Sequence, residues 1–238
     1  IQIQLKMKKN ILIIGGSSGV GLELVKLICE ENNVYVASRT NDSIGELPIT
    51  HIPFDVENDD LDNTSIPEHL HGFVYCPGSI NLRPFKGIKP EVFKQDFSIN
   101  VLGAIKTLQS VLGNLQNSEF PSSVVFFSTV AVRTGMPFHS SVAAAKGAIE
   151  GLAKSLAAEF APKIRFNVIA PSLVDTPMAE KFLNNETKKN NAASRHPLQR
   201  VGKADEIAKM AQFLIDDNSS WITAQTITID GGIGSIKS

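Results

Sequence analysis

Short β-branched and aromatic runs punctuate the chain at Ile11–Ile14, Val34–Ala37, Phe73–Cys76, Val124–Ser128, Ile164–Ile169 and Thr226–Ile229, with a weaker run near Ile52. Apolar runs of this length bounded by turn formers predict strands buried on both faces. Between the first two runs, Val20, Leu24, Leu27 and Ile28 fall at i, i+4, i+7 and i+8, which puts an apolar stripe on one face of a helix. Ile149, Leu152 and Leu156 do the same for a helix from about Val142 to Phe160, with Ser140 or Ser141 as the expected N-cap. A further helical stretch is expected over Phe97–Leu108. Strand, loop, helix and strand, repeated along the chain, predict an α/β fold: a doubly wound, mainly seven-stranded parallel sheet with right-handed crossovers and helices on both faces. The segment from Met178 to His196 breaks the alternation, being polar and rich in Asn and Lys, with no matching strand partner. It reads equally as a substrate lid and as a solvated surface insertion.

The 238 residues suit one domain, taken as residues 7–238. The first six precede a Met7-Lys8-Lys9-Asn10 stretch that reads as a natural start, so they are expected to be an upstream remnant. Lys plus Arg (23) nearly balances Asp plus Glu (24), a formal net charge of -1, which argues against nucleic acid or an anionic membrane and leaves a small-molecule substrate as the partner. Cys29 and Cys76 sit in apolar segments without paired metal-ligand spacing, so no metal is expected and a reducing compartment fits. No apolar run approaches the roughly 20 residues of a membrane span, and no charged-then-apolar segment opens the chain. A cytoplasmic protein is expected.

Gly15-Gly16-Ser17-Ser18-Gly19-Val20-Gly21 follows the first strand and opens directly into the helix. Glycines there let backbone N–H groups close on a phosphate while the helix N-terminus supplies partial positive charge, and Ser17 and Ser18 add hydroxyls. A bare glycine turn is the competing reading; the position between strand and helix favours a dinucleotide pyrophosphate and a Rossmann-like sheet. The spacing G-x-x-x-G-x-G resembles that of the short-chain dehydrogenase/reductase family, whose loop usually follows a threonine where this chain has Ile14.

At the end of the second strand a carboxylate would accept from ribose hydroxyls, whereas a cation would pair with a 2'-phosphate. Here stand Ser38, Arg39 and Thr40, with no carboxylate before Asp42, so NADP(H) is favoured over NAD(H). Arg39 as an ordinary exposed charge is the alternative. Asp55-Val56 resembles the family's adenine-contacting pair. Tyr75-Cys76-Pro77-Gly78 falls where most members have Asn-Asn-Ala-Gly, so Cys76, Pro77 and Gly78 are expected at the cofactor without the two amides.

In the resembled family the long helix carries Tyr-x-x-x-Lys, the tyrosine donating a proton and the lysine lowering its pKa. Lys146 is present, but four residues back stands Val142, which can neither donate nor accept a proton. Thr129 occupies the position of the substrate-orienting serine. Asn100 matches the asparagine that holds a water relay to the lysine. Pro171-Ser172-Leu173-Val174-Asp175-Thr176 resembles the segment around the nicotinamide, with Pro171, Val174 and Thr176 as its contacts. C-terminal segments, including Trp221-Ile222-Thr223-Ala224-Gln225 and Asp230-Gly231-Gly232, are similar to the ketoacyl carrier-protein reductase branch, and the resemblance runs from about Lys8 to Gly232. Structural roles compete throughout: Lys146 as a ribose ligand only, Thr129 as a strand-end cap, Asn100 at a helix bend.

Two classes of function follow. The first is an NADP(H)-dependent oxidoreductase reducing a carbonyl or an activated C=C with a non-standard proton donor. His139, at the tyrosine-to-lysine spacing of related enoyl reductases, is one donor, since imidazole titrates near ~6.5. Water ordered by Lys146, Asn100 and Thr129 is the other. Members of the fold that reduce dienoyl thioesters also lack the usual tyrosine. The second is a non-catalytic NADP(H)-binding sensor or inactive partner subunit. Ala144, Ala148, Gly151 and Ser155 form a small-residue stripe on the long helix, and the resemblance implies a homodimer or homotetramer.

Overall fold

Each apolar run becomes a strand within a residue or two of its expected bounds in a computed structural model that describes residues 7–236. The chain runs β1 (Asn10–Ile14), α1 (Gly19–Ile28), β2 (Asn33–Ser38), β3 (Ile49–Pro53), β4 (Gly72–Tyr75), α2 (Pro90–Phe97), α3 (Gly103–Gln116), β5 (Ser122–Phe127), α4 (Ala131–Thr134) and α5 (Ser140–Phe160). It continues through β6 (Ile164–Pro171), β7 (Val174–Asp175), α6 (Glu180–Leu183), α7 (Glu186–Ala193), β8 (Gly202–Lys203), α8 (Ala204–Ile215) and β9 (Thr226–Ile229). Seven strands form one sheet in the order β3-β2-β1-β4-β5-β6-β9, with every pairing parallel.

Side chains alternate across a strand, and both sides of this sheet are covered. Leu12 and Ile14 of β1 join Phe73, Val124, Phe126 and Phe166 against α3 and α5, through Leu108, Val111, Ile149 and Ala153. Ile11 and Ile13 point the other way, with Val34, Val36, Val74 and Val125, onto Leu24, Val25 and Ile28 of α1 and Ile207, Ala211 and Leu214 of α8. Each fully buried Leu, Ile, Val or Phe stabilises the fold by roughly 1.5–3 kcal/mol relative to exposure. That burial, not local propensity, fixes the strands in the middle of the protein.

The chain winds from β1 outwards to β3, then returns to place β4 on the other side of β1. This reversal leaves a crevice beyond the carboxyl ends of β1 and β4, where the loops after those strands separate. Phosphate loop and central-strand loop therefore meet.

One expectation is corrected. Neither Ser140 nor Ser141 caps α5: the N-cap is His139, the Ser141 hydroxyl turns inward to Asp96, and the Ser140 oxygen has no partner. A buried carboxylate outcompetes the helix end for Ser141. The stretch Phe97–Leu108 is helical as expected, with a π-helical turn at Ser98–Leu102, between α2 and α3, that carries Asn100. Met178–His196 is largely exposed and forms a turn and two short helices, α6 and α7, closed over their own cluster of Ala179, Leu183 and Ala192. Beside it β7 and β8 make a small second sheet. Among the described residues no helix is long and apolar enough to cross a membrane. The remnant expected at residues 1–6 lies outside the described residues.

Candidate active site

A cleft of about 550 Å³ opens along the carboxyl ends of the strands. At one end, Ser18 is the N-cap of α1 in an extended conformation, its hydroxyl makes no capping bond, and the first turn has no acidic residue. The first residues of the helix, Gly19, Val20 and Gly21, whose N–H groups have no intrahelical acceptor, line the cleft with no acidic residue in that turn. A Cβ on Gly21 would strike the carbonyl oxygen of Gly15, so the tight loop requires glycine there. Gly15, Ser17, Ser18, Gly19, Val20 and Gly21 all line the cleft. These residues fit a dinucleotide pyrophosphate: a glycine cradle, an uncapped helix start and no negative charge.

Beyond β2 the expected residues separate. Arg39 is exposed and lines the cleft. Ser38 is buried, its hydroxyl donating to the Thr40 carbonyl at 2.8 Å and lying 3.1 Å from His51 Nε2. It also lines the cleft, whereas Thr40 is not among the lining residues. The Asp55 carboxylate accepts from the Glu57 N–H at 3.0 Å and Asn58 Nδ2 at 3.1 Å. The Glu57 bond, helped by Asn58 and Arg39, holds it below the usual carboxylate range. Val56 lines the cleft beside it.

The other end is built by the loops after β4 and β5 and by α5. Burial pushes the Cys76 thiol up to about 12, so it is neutral. Lys146, 9% exposed, is pulled down to about 8 by burial, against the field of the Asp96 carboxylate, which favours its charge. Asn100 is wholly buried and its Oδ1 has no hydrogen-bond partner. A Cβ on Gly78 would sit 3.1 Å from that oxygen and 3.5 Å from Lys146 Nζ. Glycine is what lets acceptor and ammonium share this corner. Thr129 Oγ1 accepts from the Ala131 N–H at 3.3 Å, which leaves its own proton uncommitted towards the cleft.

Val142 is 4% exposed and lines the cleft one turn before Lys146. His139 also lines it, with Nδ1 2.8 Å from the Pro137 carbonyl. That oxygen can only accept, so Nδ1 carries the proton and Nε2 of the neutral ring is an acceptor. Across the cleft, Pro171 and Val174 line the wall, and Thr176 lies 3.6 Å from where a Cβ on Gly19 would stand. The segment after β6 is thus folded against the phosphate loop.

Two features went unread in the sequence. Asp96, wholly buried on α2, accepts from Ser79 Oγ at 2.5 Å, Asn81 Nδ2 at 2.8 Å and Ser141 Oγ at 2.5 Å. His196, 2% exposed, bonds Ser172 Oγ through Nε2 at 2.8 Å and the Ala192 carbonyl through Nδ1 at 2.8 Å, tying α7 to the end of β6. A charged residue at a buried face of α2 breaks that helix's pattern and was the available signal for Asp96. Nothing in the sequence pairs Ser172 with His196.

The family described as Enoyl-(Acyl carrier protein) reductase matches residues 27–234. The 3-oxoacyl-[acyl-carrier-protein] reductase FabG of Thermotoga maritima is 32% identical over 244 residues, covering 94% of this chain and 97% of that protein. Peroxisomal 2,4-dienoyl-CoA reductase SPS19 of Saccharomyces cerevisiae is 35% identical over 150 residues, 63% of this chain and only 51% of that protein's length. Among solved structures, ElxO with NADP bound is 26% identical with a TM-score of 0.87, covering 97% of this chain and 100% of that one. With a family match over most of its length, and a relative above 30% identity aligned nearly end to end, this chain belongs to the short-chain dehydrogenase/reductase family of oxidoreductases.

Proposed function

We propose that this protein is an NADP(H)-dependent reductase of an activated C=C or a carbonyl, in which a water held by Lys146, Asn100 and Thr129 supplies the proton that a tyrosine would otherwise give. The observation that carries the reading is that Lys146 Nζ, on the cleft wall, and Asn100 Oδ1, buried just behind it, both lie close to Gly78 of the same wall. When bound, the nicotinamide supplies a hydride. The N–H groups of the α1 start hold its pyrophosphate, and Arg39 takes the 2'-phosphate. Lys146 holds the nicotinamide ribose, and its ammonium, pulled to about 8, is an acid suited to neutral pH. Asn100 Oδ1, an orphan acceptor, is where a water would find a partner, and Thr129 would orient the substrate oxygen. His139 is the weaker donor, because its Nδ1 proton is directed at Pro137. The relatives named for enoyl, dienoyl and oxoacyl thioesters support a thioester substrate, and the first two support C=C reduction.

Val142 favours a second reading, a non-catalytic NADP(H)-binding protein acting as a sensor or inactive partner subunit. Ala144, Gly151 and Ser155 are exposed on α5, which supports a homodimer or homotetramer across that face. The test is direct titration with NADPH, followed by NADPH oxidation against enoyl, dienoyl and ketoacyl thioesters and simple ketones. Turnover of an enoyl or dienoyl thioester is the expected result. Tight binding with no turnover on any member would replace the first reading with the second.

A further inference from the structure

A buried carboxylate is costly unless it is bonded or matched by charge. The three donors to Asp96 come from two separate places: Ser79 and Asn81 from the loop after β4, and Ser141 from the first turn of α5. Asn100 joins the cluster by donating Nδ2 to Ser79 Oγ at 2.9 Å and to the Asp96 carbonyl at 2.8 Å. A hydroxyl has one proton, and that of Ser79 goes to the carboxylate, so its oxygen accepts from the amide. With Nδ2 so committed, Asn100 must turn Oδ1 the other way, to the corner beside Gly78 that Lys146 Nζ also occupies. A chain of hydrogen bonds runs from the carboxylate through the Ser79 hydroxyl to the Asn100 amide, each bond polarising the next towards negative charge at Oδ1, which faces the Gly78 corner that Lys146 Nζ also approaches.

We infer that Asp96 is a positioning residue, the buried counter-charge that acts through Ser79 and Asn100 to keep Lys146 an ammonium in the cleft. The assignment rests on the reading of that cleft as a reductase site. The groups facing Lys146 leave little else for this role. Cys76, on the loop after β4, is neutral. Glu150, one turn further along α5, is taken up by Ser128 Oγ at 2.6 Å and by Arg133 at 3.5 Å. Asp96, on α2, is the carboxylate whose field favours the charged lysine. In a protein whose helix carries Val142 where a proton-donating side chain would stand, holding the charge on Lys146 preserves an acid at the reacting end.

The test is Asp96→Asn, which keeps the shape, and lets Oδ1 accept from Ser79 and Asn81 while Nδ2 donates to Ser141. The charge is lost and the Ser141 bond reverses its donor, while the bonds from Ser79 and Asn81 keep their direction. The pH titration of the Lys146 ε-carbon resonance, assigned with Lys146→Arg, is followed in the free protein and needs no turnover. We expect its midpoint to fall by at least about half a pH unit in Asp96→Asn, and to return towards wild type in Asp96→Glu. With a substrate in hand, the alkaline limb of kcat should move down by the same amount. Ser79→Ala, which breaks the chain without removing the charge, should move both in the same direction by less, and it serves if Asp96→Asn does not fold. An unmoved lysine titration in these variants overturns the inference whether or not the protein turns a substrate over. A moved titration with no turnover would leave the counter-charge standing and defeat only the reductase reading.

Discussion

Val142 and Lys146 stand one turn apart on α5, both at least nine-tenths buried and both on the wall of the same cleft. A tyrosine at 142 would therefore bring a phenol alongside an ammonium already inside the site. Val142→Tyr is expected to raise the rate of ketone reduction, on the order of 10²-fold, the usual contribution of a positioned general acid. The larger ring must be accommodated at a cost of about 1–3 kcal/mol. Steady-state kinetics with a thermal melt checks both; a folded variant with no gain would mean that the missing phenol is not what limits the site.

Arg39 is exposed just after β2, with the Asp55 carboxylate near enough to feel its charge. Arg39→Glu should weaken NADPH binding by roughly 10–100-fold, the loss of a charge-assisted pair, with NADH affected little or improved. Fluorescence titration with the two nucleotides measures the ratio. Equal losses for both would count against a 2'-phosphate contact.

Lys146 titrates near 8 in the folded protein, below its ordinary 10.5, because burial disfavours its charge. Between those two values the unfolded chain binds more protons than the folded one, so this group's contribution to stability rises with pH across that window. Below about pH 8 the full penalty, on the order of 2–3 kcal/mol, is present. Lys146→Met should accordingly stabilise the fold at pH 7, with the gain fading by pH 10. Chemical denaturation at several pH values tests the sign. Turnover moves the opposite way, declining in the wild type as pH climbs through about 8.

His196 holds α7 to the end of β6 through two bonds, both from a buried ring. His196→Ala removes them and leaves a cavity, which should cost about 2–4 kcal/mol. Because Phe182 of α6 and His196 itself line the cleft, KM should increase more than kcat falls. Hydrogen exchange of the Glu186–Ala193 amides is the independent readout: faster exchange there, with β1 and β4 unchanged, is the expected pattern.

Much of this was legible along the chain. The strands announce themselves because a sheet buried on both faces needs continuous apolar runs. The phosphate loop is legible because sharp turns against a phosphate demand glycine at set spacing. Val142 and Lys146 could be read as neighbours because helix periodicity turns a separation of four into a shared face.

The rest needed three dimensions. Asp96, Ser79 and Ser141 are far apart in sequence and belong together only because α2 packs against α5 and the loop after β4. Ser38, Asp55 and His139 line the cleft, and only the packed chain shows which strand-end and turn groups their hydrogen bonds also engage. The polar segment Met178–His196 found order in a small apolar cluster and one buried histidine, which its composition hides. Periodicity is a local property and survives in one dimension. A hydrogen-bond partner is chosen by whichever group the fold brings within about 3 Å, and only the packed chain decides which one arrives.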